Sequence, residues 1–138
     1  MQTVNLKYFT PSEFRTWWPN MDDDLLYRLD AFREEIGRAI IVSPAAGALG
    51  RLGSGNSYHN VLTWGKVRAV DVMFPNATED DLKGYYAVAV EYFGGVGVYP
   101  DWLPYAGFHL DNRDTSATWS GILVNDKQVY RGVSAAWA

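Results

Sequence analysis

No cysteine occurs in the 138 residues. That excludes a disulfide framework and a thiolate zinc finger, so any metal must be held by imidazole and carboxylate. Histidine is nearly as scarce, with two in the chain, His59 and His109. The twelve Lys and Arg are scattered and the formal charge is −4. A phosphate-binding groove needs clustered cations, so nucleic acid is not an expected partner. No apolar stretch approaches the roughly 20 residues that span a bilayer, so membrane insertion is not expected either. The opening MQTVNLKYFT holds no apolar run of signal-peptide length, which predicts a chain made and kept in the cytoplasm unless another system exports it or lysis frees it.

What is present suits a single domain over residues 1–138, long enough to bury about two thirds of its unfolded surface. Thr10, Pro11 and Glu13 form a capping box and predict a helix that Pro19 ends. Leu25, Leu29, Phe32 and Ile36 form one apolar stripe, predicting a helix over 22–36 stopped by Gly37. The run AIIVS at 39–43 predicts a buried strand, and the glycine-rich residues 44–58 a long functional loop. A strand at 69–74 is closed by Pro75 and Asn76. Thr78 and Asp81 then cap a helix that runs to a stop at Gly94 and Gly95. VGVY and FHLD read as further strands, and GILVNDKQVYRG as a hairpin turning at Asn125 and Asp126. The order predicts an α+β fold, with helices packed on a small, mainly antiparallel sheet.

The chemistry concentrates in GSGNSYHN (53–60), RAVDVMF (68–74) and FHLDNR (108–113). A catalytic zinc takes three protein ligands and keeps one position for water, and two His with one carboxylate is a recurring set. His59, Asp71 and His109 offer that set. Asp71 alternates with Val70 and Val72 in a strand, where a carboxylate needs a partner to offset its desolvation. Asp111 lies two residues after His109 on the same strand face, either as a general base or as a carboxylate orienting the imidazole. Tyr99 and Trp102 are expected to pack or to line a cleft.

SYH followed by AVDV, a helix, GGVGVYP and FHLDNR resembles the zinc D-alanyl-D-alanine metallopeptidase family, murein peptidases with the hedgehog/DD-peptidase fold. The resemblance covers roughly residues 22–119 and implies His59, Asp71 and His109 as the ligands of Zn2+. It also implies a peptidase acting on peptidoglycan stem peptides, as an endopeptidase or a D-Ala-D-Ala carboxypeptidase. Such an enzyme would be phage-encoded, acting on the cell wall after lysis or as part of a virion beside tail proteins. The alternative it implies is an inactive peptidase-fold domain with a structural or wall-binding role. Many relatives place a base two or three residues before the final ligand, where this chain has Ala106 and Gly107, so Asp111 is the substitute, with Asp101 more remote. Arg51 stands near the family's carboxylate-binding arginine, and Arg113 is expected to bind a peptide carboxylate or an oxyanion. Eleven residues separate His59 from Asp71, more than in the family, predicting a lengthened hairpin with Trp64 and Gly65 near its tip.

Overall fold

The computed structural model describes residues 4–53 and 55–137. A 3-10 helical run, Pro11–Asn20, opens the regular structure, with the Glu13 carboxylate accepting the Thr10 N–H at 2.7 Å. The run continues through Pro19, where the sequence predicts an end, and it is kinked at Arg15 (φ 55°, ψ −142°). The kink carries the Arg15 guanidinium to the carbonyls of Ser43 and Ala45, fastening this segment to the start of the glycine-rich loop.

Helix α1 (Asp23–Ile36) begins where the Asp22 carboxylate accepts the Leu25 N–H at 3.2 Å, and ends at Gly37 in the left-handed conformation (φ 64°). Its stripe buries Leu25, Leu29 and Phe32 as the periodicity predicts. Strand β1 is only Ile41–Val42 and half-buried, because it lies at a sheet edge and pairs with one neighbour, whereas the apolar run predicts a longer, buried strand. Residues 60–65 do not form the expected hairpin. They fold into a single turn, α2 (Val61–Trp64), closed by Gly65 at φ 75°. The Trp64 indole N–H reaches the Ser57 carbonyl at 3.0 Å and its ring stacks on Tyr58 at 4.6 Å. The loop thus satisfies the turn locally, and outside the strands Asn60 and Val67 pair only as isolated bridges, with Arg51 and Met21.

Strand β2 (Ala69–Met73) leads to α3 (Glu79–Tyr92), capped reciprocally by Thr78 and Asp81 at 3.1 and 3.0 Å. This helix stops before the glycine pair, at Phe93 in extended conformation. Strands β3 (Gly95–Tyr99), β4 (Gly107–Asp111), β5 (Ala117–Val124) and β6 (Lys127–Arg131) follow, and a 3-10 turn, Val133–Ala136, packs on β5. Asn125 and Asp126, both at positive φ, make the predicted β5–β6 turn.

The result is a mixed α/β architecture on one six-stranded sheet of order β1-β2-β4-β3-β5-β6. Every pairing is antiparallel except β3 with β5, which is parallel. One face belongs to the core. Val70, Val72, Val96, Val98, Phe108 and Leu110 are fully buried there. Phe32 of α1 meets Phe74 and Phe93 edge-on at 6.2 and 5.7 Å, and Phe74 meets Phe108 at 4.7 Å. Alternation sends Asp71, His109 and Tyr99 to the opposite face, where the polar chemistry collects.

Candidate metal centre

Asp71 on β2 and His109 on β4 are directly paired across the sheet, and Gly97 on β3 pairs with His109 on its other side. Cross-strand partners hold their side chains a few ångströms apart, so the register alone delivers a carboxylate beside an imidazole. Asp71 Oδ1 lies 3.1 Å from His109 Nδ1. The third group comes from the glycine-rich loop. Arg51 donates its N–H to the His59 carbonyl at 2.9 Å, and its own carbonyl accepts from Val61 at 3.0 Å, a short ladder that fixes the backbone around His59. The imidazole is buried and lies with Nε2 3.1 Å from Asp71 Oδ1 and 3.3 Å from His109 Nδ1.

These three atoms form a nearly equilateral triangle. A tetrahedral zinc with bonds of about 2.0–2.1 Å requires ligand atoms about 3.3 Å apart. His59, Asp71 and His109 therefore could hold a metal ion. Proton placement points the same way. His59 Nδ1 is 2.5 Å from the Leu49 carbonyl, which can only accept, so Nδ1 carries the hydrogen. His109 Nε2 is 2.7 Å from Asp111 Oδ2 and likewise donates. With both outer nitrogens protonated, neutral imidazoles turn two lone pairs toward a carboxylate oxygen. Three acceptors at this distance need a cation or a proton between them.

The electrostatics without metal follow. Burial alone would raise the Asp71 carboxyl, but sharing a proton with His109 and His59 outweighs it and holds it at about 2. Burial opposes charge on His109, yet its bonds to Asp111 and Asp71 prevail and raise it to about 8. Asp111 is fully buried; burial would raise it, but Arg113 and His109 pull it far below the usual carboxylate range. Arg113 grips both Asp111 oxygens, at 2.8 and 2.6 Å, and donates its backbone N–H at 3.1 Å. Its guanidinium lies over the Tyr58 and Trp119 rings at 4.6 and 5.3 Å. Asn112 ties the same segment to α1, donating to Asp22 and Asp24 at 2.8 and 2.9 Å. Glycine on β3 makes room for this layer. A Cβ at Gly95 would sit 2.2 Å from the Asp111 carboxylate, and one at Gly97 2.5 Å from the Trp119 indole nitrogen.

The triad opens onto a cavity of about 460 Å³ lined also by Arg51, Tyr58, Tyr99, Trp102, Trp119 and Tyr130. Arg51 is exposed there, its Nε bonded to the Gly47 carbonyl at 3.0 Å. Arg113 reaches the cavity as well, while Asp111 lies behind His109 and does not line it. Asp101 faces elsewhere, accepting the Leu123 N–H at 2.8 Å. Among the lining residues Asp71 is the sole carboxylate. Sequence reasoning passed over Tyr58, Trp119 and Tyr130. The glycine at position 97 is the signal that could have found Trp119, because a missing side chain mid-sheet makes room for a neighbour's large one. Comparison with protein-family models, with curated proteins and with solved structures gives no match.

Proposed function

We propose that this chain is a zinc-dependent murein peptidase that cleaves peptidoglycan stem peptides, as an endopeptidase on cross-links or as a carboxypeptidase on D-Ala-D-Ala termini. The observation that carries the reading is the triangle of His59 Nε2, Asp71 Oδ1 and His109 Nδ1 with edges of 3.1–3.3 Å, open on one side to a cleft. The order of SYH, AVDV, GGVGVYP and FHLDNR, with its resemblance to the zinc D-alanyl-D-alanine metallopeptidases and their hedgehog-type fold, supplies the substrate class. A zinc ion held by the three residues supplies a Lewis acid for the scissile carbonyl and a water acidified toward about pKa 7.

The chain's own groups divide the remaining work. Asp111 holds the His109 ring with Nδ1 toward the triad, and Arg113 holds Asp111. Arg51 sits at the cleft, beside the loop that carries His59, and binds the carboxylate of the stem peptide. Trp102 and Tyr130 form walls against which an extended peptide lies. By the same resemblance, the enzyme would meet the wall after phage lysis or as a virion part.

One observation favours a second reading. Among the described residues the cleft offers no carboxylate besides Asp71, so none of their other carboxylates faces the triad to accept a water proton. A metal-binding, non-catalytic domain of a phage tail or baseplate would need none. Zinc analysis of the purified protein, with muropeptide digestion by wild type and His109→Ala, separates the cases. Stoichiometric zinc with cleavage, both lost in the variant, supports the peptidase. Zinc without cleavage supports the structural domain, and a wild type that binds no zinc sinks both.

A further inference from the structure

The Tyr99 hydroxyl is held in an unusual way. The Trp119 indole N–H, which can only donate, points at the Tyr99 oxygen from 3.0 Å. The oxygen must therefore accept, and its own hydrogen must go elsewhere. Among the described residues no acceptor lies within hydrogen-bond distance of it. The ring is fixed, stacked on Trp102 at 4.1 Å with planes 12° apart, so the phenol cannot swing away to find one.

Position relative to the triad follows from the register. Gly97 pairs with His109, and Tyr99 lies two residues along β3 on the same face. Trp119 leans over Gly97 with its ring 5.2 Å from the His109 ring, and the same indole holds the Tyr99 oxygen. Both aromatic residues line the cavity shared with His59, Asp71 and His109. Burial pushes the Tyr99 phenol up to about 12, so at neutral pH it remains a donor and does not serve as a base.

We propose that the Tyr99 hydroxyl, aimed by Trp119, is the hydrogen-bond donor that this cleft presents to the oxygen of a bound ligand; resting on the peptidase reading, that oxygen is the scissile carbonyl as it gains charge. This makes Tyr99 a catalytic residue and Trp119 a positioning residue. Such a donor acts mostly in the transition state, so its removal lowers kcat and leaves KM nearly alone.

Tyr99→Phe keeps the ring and its stack and deletes one oxygen. In the zinc-loaded full-length chain, kcat on a muropeptide should fall about 100- to 1,000-fold, with KM unchanged within about threefold. Affinity for a phosphinate dipeptide, measured by calorimetry, should fall in parallel, while zinc affinity measured against a chromophoric chelator stays within about twofold of wild type. Trp119→Phe, which leaves the phenol present but unaimed, should lose about tenfold in kcat. A zinc-loaded wild type that neither binds the phosphinate nor cleaves overturns the peptidase reading and this assignment with it. An active wild type matched by Tyr99→Phe in kcat and phosphinate affinity overturns the Tyr99 assignment alone.

Discussion

Adding zinc to the metal-free protein should raise its melting temperature by about 9 °C when free zinc is a hundredfold above its dissociation constant. The structure supplies the reason: three atoms 3.1–3.3 Å apart are already assembled in the folded chain and are dispersed in the unfolded one. Binding to the folded state alone at that excess contributes about 2.7 kcal/mol. Unfolding entropy near the midpoint is about 2.1 cal/mol/K per residue, which over 138 residues is about 0.29 kcal/mol/K. The quotient gives the shift. Differential scanning calorimetry in chelator and then across a zinc series reads it, and the midpoint should keep climbing with the logarithm of free zinc. Asp71→Asn, nearly isosteric, should abolish most of the response while leaving the chain folded. A midpoint indifferent to zinc, or a shift that survives in Asp71→Asn, would refute the claim that these three atoms form the site.

Opposite pH trends should distinguish the two states of the centre. Metal must displace the proton that His109 holds up to about pH 8, so apparent zinc affinity should rise about tenfold per unit from pH 6.5 to 8 and then flatten, with nearly one proton released at pH 7 in calorimetry. Without metal, the raised His109 pKa stabilises the fold below 6.5 and that contribution, about 2 kcal/mol, is lost as pH rises through about 8, which urea melts in chelator at pH 6 and 9 would read. Asp111→Asn should weaken zinc about 10- to 100-fold in chelator competition, because the His109 ring loses its charged anchor. Gly97→Ala places a Cβ 2.5 Å from the Trp119 nitrogen, so the indole must move; near-UV circular dichroism should change, at a cost of about 1–3 kcal/mol. Phe32→Ala, at a fully buried position between Phe74 and Phe93, should lose about 3–5 kcal/mol in urea unfolding with no change in zinc stoichiometry.

Which features were legible in the chain follows from how local their causes are. Both long helices declare themselves through Asp22, Thr78, Asp81 and Gly37, because caps and stripes act within a few residues. The three residues that could hold a metal were easy to single out because the chain offers so few alternatives, with two histidines and no cysteine. Pairing was hidden. Nothing local says that β3 lies between β4 and a parallel β5, so Trp119 could not be brought over Gly97 from sequence. The shortness of β1 is also a consequence of strand order, since an edge position leaves Ile41 and Val42 half-exposed. Residues 60–65 misled for a different reason. Trp64-Gly65 reads equally as a hairpin tip or a helical C-cap, and the choice was made by contacts to Tyr58 and Ser57.

The three candidate ligands are mounted unequally. Asp71 and His109 face each other on strands at the centre of the sheet, whereas His59 hangs on a loop fastened by the Leu49 carbonyl and the Arg51 ladder. A swing of that loop would strip one imidazole from an ion and leave the other two donors as an intact claw. Exchange of an ion held there would therefore run at the tempo of one local opening, not of global unfolding, and the connection between His59 and β2 could vary in length without disturbing the Asp71–His109 pair.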